Sequence, residues 1–227
     1  YQVTCYKEEE KAPEWYREGI FYQIFPDRFA NGNPDQIINS PKKNSYIYAT
    51  EEDDPLYVKD ADGEILRWDF FGGNFKGILQ KIPYLKELGV NGIYLNPIFE
   101  ASSNHRYDTA DYFAIDPVLG TQEDFETLVN TLHENDMRLI LDGVFSHVGQ
   151  NSRYFNVNGN YGKDKGAYND RYSPYYSWFT FYDYPDDYAS WWGIKDLPEV
   201  NKEDPGFQAF IYGNTNSVLS KWNQLGV

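Results

Sequence analysis

Apolar residues in this chain gather in short runs that alternate with helical stripes. Residues 19–26 (GIFYQIFP) form an apolar and aromatic run closed by proline, which predicts a buried strand. Phe75, Ile78, Leu79, Ile82, Leu85 and Leu88 then recur at helical spacing, with Gly89 placed as a C-terminal cap. Residues 90–99 (VNGIYLNPIF) predict a second strand, followed by a polar loop. Thr121, with Asp124 three positions on, opens a helix whose stripe is Phe125, Leu128, Val129 and Leu132, stopped by Asn135-Asp136. Residues 137–145 (MRLILDGVF) predict a third strand. The strands are apolar over most of their length, which suits parallel strands buried on both faces. Their alternation with helices predicts a parallel α/β sheet or barrel.

Two stretches interrupt this rhythm. The polar segment after the first strand carries turn signals at Asn31-Gly32-Asn33-Pro34 and Asp62-Gly63, and a small hairpin is expected over residues 46–66. Residues 148–205 hold 9 Tyr, 3 Trp and 3 Phe without a sustained period, which reads as a loop-rich insertion after the third strand. A helix resumes near Phe207, with Phe210, Val218, Leu219 and Trp222 as its apolar positions. The helix-ending phrase Leu85-Lys-Glu-Leu-Gly-Val90 returns as Trp222-Asn-Gln-Leu-Gly-Val227, where a fourth strand is expected to begin. Three parallel strands alone would leave an unpaired edge. The expectation is therefore the front part of a larger fold, not a self-sufficient folding unit.

Composition narrows the chemistry. With 35 acidic against 20 basic residues the net charge is −15, and no basic cluster offsets it, so nucleic acid is excluded as a partner. No apolar run approaches the roughly 20 residues of a membrane span. Aromatic residues reach 19%, more ring surface than a core of this size needs. Cys5 is the one cysteine, which removes internal disulfides and cysteine-rich zinc sites. One Cys and one Met suit an exported bacterial enzyme.

Chemistry in parallel α/β folds lies beyond the carboxyl ends of the strands. Those ends deliver Asp27 and Arg28, then Asn96 and the run Asn104-His105-Arg106-Tyr107-Asp108, then Asp142, Ser146 and His147. A zinc reading of His105, His147 and Asp142 lacks the i, i+4 histidine pair or a cysteine partner. No serine or cysteine nucleophile motif is present, and Gly72-Gly73 lacks phosphate-loop spacing. Each residue also has a structural reading. Asp142 would satisfy backbone N–H groups or pair with an Arg, His147 would brace the loop base, and Tyr107 would pack. The rings of 148–205 would largely form their own core, with a minority facing a ligand. Flat rings beside carboxylates and amides suit sugars, whose C–H faces stack while their hydroxyls seek planar polar partners.

The words themselves are similar to those of a known family. Residues 22–34 (YQIFPDRFANGNP), 71–77 (FGGNFKG), 91–99 (NGIYLNPIF), 105–112 (HRYDTADY), 115–117 (IDP), 142–147 (DGVFSH) and 197–201 (LPEVN) resemble, in order, the α-amylase family of glycoside hydrolases. The last is in the form found in neopullulanase- and amylopullulanase-like members. The resemblance implies an α/β fold: the first three βα units of a (β/α)8 TIM barrel with an inserted domain after strand three. On that basis 1–147 is a partial catalytic barrel, 148–205 the inserted domain, and 206–227 the third barrel helix, ending before strand four. It implies hydrolysis of α-glucosidic bonds in starch, maltooligosaccharides or pullulan with retention, through a nucleophile and an acid/base. Both carboxylates fall beyond Val227 in the family's order, so this chain carries none of the bond-breaking residues and is expected to be inactive alone. The alternatives are a transglycosylase and a non-catalytic glucan-binding or scaffold member.

By position in the motifs, Tyr107 matches a tyrosine that stacks under the sugar, His147 a histidine that hydrogen-bonds its primary hydroxyl, and Asp142 an aspartate that braces the site. His105 and Asp108 match neighbours in the same motif. The implied partners are an α-glucan and the remainder of the catalytic domain, and the implied location is extracellular or cell-surface, with the cytoplasm as the alternative. The resemblance also implies a calcium site at Asn31, Asn33, Gly72 and Asn74, weakened because carboxylates of the family pattern are amides here, and calcium favours charged oxygens. Ser146 stands where many members have a calcium-ligating Asn, which weakens that second site as well.

Overall fold

The computed structural model describes Cys5, residues 12–63 and residues 65–227. The first residues of the expected 1–147 unit thus lie partly outside the described residues. A short helix α1 (Glu14–Arg17) precedes strand β1 (Phe21–Ile24), and a single turn α2 (Pro26–Phe29) begins as the strand ends. The run predicted to remain extended to residue 26 stops two residues earlier, because Pro26 supplies helical φ at the first position of α2. The polar stretch carries β2 (Tyr46–Ile47), the antiparallel pair β3 (Val58–Lys59) and β4 (Ile65–Arg67), and β5 (Asp69–Phe70), which lies parallel to β2. The expected hairpin is thus the β3–β4 pair.

Next come α3 (Phe75–Glu87) and β6 (Gly92–Leu95), then β7 (Phe99–Ala101) and β8 (Thr109–Ile115), then α4 (Gln122–Glu134) and β9 (Arg138–Leu141). β1, β6 and β9 form one parallel sheet in that order, with Gln23 opposite Tyr94 and Tyr94 opposite Ile140. The second strand is shorter than its apolar run. Asn96-Pro97 interrupts it, and Phe99 starts an antiparallel hairpin with β8 where a polar loop is expected.

Both predicted helices form. Thr121 and Asp124 make a reciprocal capping box at α4, and the Asn74 side chain caps α3. Phe75, Ile78, Ile82 and Leu85 of α3 are buried with Phe125, Leu128, Val129 and Leu132 of α4, against Ile24, Ile93, Leu95 and Leu139 of the sheet. Each such side chain contributes about 2 kcal/mol on burial. The opposite face of the sheet is more open than the apolar runs suggest, with Gln23 exposed and Tyr94 and Ile140 half-buried.

Three helices end alike. Gly89, Asp136 and Gly226 adopt positive φ of 78°, 58° and 93°. The following N–H groups of Val90, Met137 and Val227 each return to the carbonyl five residues back, at 3.0, 2.9 and 3.3 Å. This paired-bond termination satisfies carbonyls at the helix end and turns the chain toward the sheet.

Residues 148–205 contain β10 (Phe181–Asp183) and β11 (Asp187–Tyr188), joined as an antiparallel pair among turns. Tyr154, Phe155, Trp178, Phe179 and Tyr188 are buried together, with Phe155 4.7 Å from the Tyr188 ring and 4.8 Å from that of Phe179. The rings therefore pack chiefly as core. That packing continues without a break into Tyr112 of β8 and Phe207 and Phe210 beyond. The last stretch is not one helix: α5 (Pro205–Tyr212) and α6 (Val218–Gln224) are separated at residues 213–217, where the Ser217 side chain caps the second.

Candidate active site

Four side chains form a chain of hydrogen bonds across the carboxyl end of the parallel sheet. Gln23 Nε2 donates to Asn96 Oδ1 at 2.8 Å, Asn96 Nδ2 lies 3.5 Å from the Tyr107 hydroxyl, and that hydroxyl donates to Asp142 Oδ2 at 2.7 Å. Backbone bonds fix the relay: Asn96 N–H donates to the Ile24 carbonyl and Asp142 N–H to the Leu95 carbonyl, each at 3.0 Å. Each ladder is thereby extended one residue beyond its strand. Tyr94, level with Gln23, lies near enough to Asp142 to feel its charge. Burial, and then the bond to and charge of Asp142, push the Tyr107 phenol well above its ordinary value, so it stays a donor. Burial likewise raises the Tyr94 phenol, with the Asp142 charge adding.

Tyr107 is held by its backbone as well. Its N–H donates to His105 Nδ1 at 3.1 Å, and its carbonyl accepts from His147 Nε2 at 3.1 Å. His147 Nδ1 lies 2.9 Å from the Ser146 hydroxyl, so both ring nitrogens are engaged within the chain. These contacts place the His147 proton on Nε2 and leave Nδ1 as acceptor. Burial lowers the pKa of His147, opposed by the Tyr107 carbonyl and by Asp108 and Glu199. Burial also lowers that of His105, with Asp108 opposing and Arg106 adding. Both imidazoles are therefore held neutral. His105 stands edge-on to Trp68, their ring centres 4.9 Å apart.

Tyr107, Asp142, Phe145, His147, Trp191 and Leu197 line a cleft of about 710 Å³. The segment containing Leu197 returns from the far end of 148–205. Val148 N–H donates to the Pro198 carbonyl and Val200 N–H to the Ser146 carbonyl. Trp191 lies 5.1 Å from the His147 ring, and Trp192 stacks on Trp191 at 4.8 Å and 7° while remaining 86% exposed.

The predicted group is only partly assembled here. Asp27 and Arg28 point elsewhere: Arg28 Nη2 pairs with Asp69 Oδ2 at 2.7 Å, and Asp27 accepts from the Phe71 and Gly72 N–H groups at 3.2 Å each. Asn104 Nδ2 joins the same brace through Asp69 Oδ1 at 2.9 Å. Burial raises the Asp27 pKa, with Arg106 as the main opposing charge. Asp108 faces its own turn, accepting from Ser102 N–H at 2.9 Å and from the Ser103 hydroxyl. Arg106 is fully buried, its Nε 3.1 Å from Asp116 Oδ2. Gln23, Tyr94 and Trp191 belong to the site and were not singled out by sequence reasoning. The available signal for Gln23 was a lone polar residue in an otherwise apolar strand.

The amide group at 31–33 and 74 is internally bonded. Asn31 Oδ1 accepts from Asn33 N–H at 2.9 Å and from Asn74 Nδ2 at 2.8 Å. Asn74 Oδ1 accepts from Gly32 and Gly77 N–H at 3.0 and 2.9 Å.

A family model described as alpha amylase, catalytic domain, matches residues 23–218. The chain is 38% identical to an amylopullulanase of Thermoanaerobacterium saccharolyticum over 98% of this chain and 19% of that protein. It is 43% identical to the intracellular maltogenic amylase of Bacillus subtilis over 88% of this chain and 31% of that protein. The structure of a cyclic alpha-maltosyl-(1→6)-maltose hydrolase from Arthrobacter globiformis, in complex with that sugar, matches with a TM-score of 0.73 and 32% identity, covering 95% of this chain and 44% of the other. This chain thus spans about a fifth to a third of the length of these two curated relatives. A relative described as intracellular lends no support to the expected extracellular location.

Proposed function

Because the chain belongs to the alpha-amylase catalytic-domain family, we propose that the intact protein hydrolyses α-glucosidic bonds of starch, maltooligosaccharides or pullulan with retention. In this reading β1, β6 and β9 are the first three strands of a (β/α)8 barrel. Residues 148–205 are a domain inserted after the third, and 206–227 lead toward the fourth. Nucleophile and acid/base come from beyond Val227, and this chain supplies the floor on which the sugar is placed.

The observation that carries the proposal is the 2.7 Å bond from the Tyr107 hydroxyl to Asp142. It anchors the ring at the cleft, where a pyranose can stack on it, while Asp142 presents a carboxylate at the end of β9. A glucose ring held there places its anomeric carbon where two carboxylates from later strands act in turn, one as nucleophile and one as proton donor and then base. Contacts that tighten as the ring flattens toward an oxocarbenium ion lower the barrel's barrier to bond cleavage. His147 acts first through Tyr107, by holding its carbonyl. For His147 to reach a primary hydroxyl of the sugar, one of its present partners must give way, and the Ser146 hydroxyl has the freedom to rotate.

Reducing-sugar release from soluble starch and maltooligosaccharides by the intact protein tests this. Release with the product in the α-anomer is the expected result. Failure to release sugar from any α-glucan would leave the non-catalytic glucan-binding reading.

A further inference from the structure

We infer that the loop at residues 31–37 is joined to the start of α3 by an amide crosslink that does the work of a divalent cation, so this joint needs no metal. The donor set does not suit a cation. Asn31, Asn33 and Asn74 bring three primary amides and no carboxylate, and their N–H groups face the oxygens a cation would need.

The donors are fully used. Asn31 Nδ2 donates to the Gln36 and Ile37 carbonyls at 3.0 and 3.4 Å. Asn33 Nδ2 donates to the Ile37 carbonyl at 2.7 Å and to Asn39 Oδ1 at 2.9 Å. Asn74 Nδ2 donates to Asn31 Oδ1 at 2.8 Å and to the Gly72 carbonyl at 3.4 Å. The acceptors drawn inward are thus neutralised by N–H groups, where a carboxylate cage would require positive charge.

The joint also fixes the helix. Asn74 is fully buried, and its Oδ1 both caps α3 at Gly77 N–H and holds Gly32 N–H across 42 residues. The two backbones touch here, since a Cβ on Gly77 would lie 1.9 Å from the Ala30 carbonyl oxygen. An aspartate at position 74 could still cap the helix and hold Gly32 through its oxygens. It would lose the donors to Asn31 and Gly72 and set those oxygens against a buried negative charge. The same reversal applies at position 33. The crosslink therefore distinguishes amide from carboxylate by donor count, not by shape.

The experiment is thermal unfolding of the intact protein with a chelator and with added calcium. The melting temperature is expected to be the same in both. A calcium response that Asn31→Ala abolishes would overturn the inference, whereas no response, or one that Asn31→Ala leaves unchanged, supports it. The paired substitution Asn33→Asp with Asn74→Asp supplies the converse. In chelator it should melt lower by about 5 °C or more, and calcium should restore most of the loss. A doubly substituted protein as stable as the parent in chelator would show that the amide donors do not matter and would overturn the inference.

Discussion

Replacing Tyr107 by Phe and by Ala separates two contributions that the proposed function assigns to one side chain. Phe keeps the ring at the cleft and removes only the hydroxyl, and with it the 2.7 Å bond to Asp142 Oδ2. A hydrogen bond to a charged partner contributes about 1.5–3 kcal/mol. Tyr107 is half-buried, so water entering the cleft replaces part of the lost donor. The lower figure applies, about 1.5 kcal/mol, which is roughly tenfold in kcat/KM on maltooligosaccharides. Ala also removes the stacking surface, worth about 1 kcal/mol more, so its loss should approach a hundredfold. Melting temperatures of both variants should stay near that of the parent, because the broken bond borders solvent. The assay is initial-rate release of reducing sugar by the intact protein across a maltooligosaccharide series. A Phe variant with full activity would refute the role of the Asp142 bond. A Phe variant as poor as Ala would refute the role of the ring.

Further outcomes follow from the same contacts. Burial lowers the pKa values of His105 and His147 below the ordinary 6.5; the unfolded chain binds protons that the fold refuses, so stability should fall as pH drops through that value. Melting temperature measured between about pH 7.5 and 5.5 should show this slope, and His147→Gln should flatten it. Asp136→Gly should raise the melting temperature by about 2–4 °C, because the position has φ 58° in a helix termination that glycine fills at Gly89 and Gly226. An unchanged or lowered value in calorimetry would contradict that account. Phe155→Ala should cost about 3–5 kcal/mol by opening a cavity among Phe179, Phe181 and Tyr188. Denaturant unfolding measures it.

What sequence reasoning reads well is local. The stripe of α4, the Thr121–Asp124 box and the Gly89 termination each depend on residues within a turn or two and appear as predicted; the α3 stripe does too except at Leu88, which falls at the helix cap and is exposed. The β7–β8 hairpin was missed because its turn is held by contacts that the pattern does not carry, such as Arg106 to Asp116 and Ser103 to Asp108. Asp27 and Arg28 were grouped with the cleft on strand order alone. The partner of Arg28, Asp69, lies 41 residues away, Asp27 is held by the Phe71 and Gly72 N–H groups, and nothing in the spacing announces either. Tyr107, Asp142, His147 and His105 came from the same reading of strand ends, with family resemblance adding their expected roles, and the structure brings these four together. Gln23 and Tyr94 needed the strand register, since only pairing places them level with each other.

The turn at residues 102–108 is built at a cost to stability, which bears on its purpose. Arg106 has φ 62°, a left-handed conformation that costs a bulky residue about 1–3 kcal/mol. Its guanidinium is buried against Asp116, and such a pair roughly breaks even against desolvation. Neither feature stabilises the fold, but both determine where the next residue goes. Nη1 of Arg106 donates to the Asn104 carbonyl at 2.7 Å, and its backbone N–H donates to the Ser103 hydroxyl oxygen at 2.9 Å, closing the turn immediately before Tyr107. Tyr107 then has its N–H on His105, its carbonyl on His147 and its hydroxyl on Asp142. Every polar group of that residue has a partner, and the partners come from the β7–β8 turn and the loop after β9. A ring that merely filled space would be held by packing alone. A ring that must meet a sugar at a fixed height and tilt needs its backbone and its far end held together, because small misplacement erodes the benefit of orientation. On the proposed function, the strained arginine is the device that sets the Tyr107 platform, closing the turn on which that ring stands.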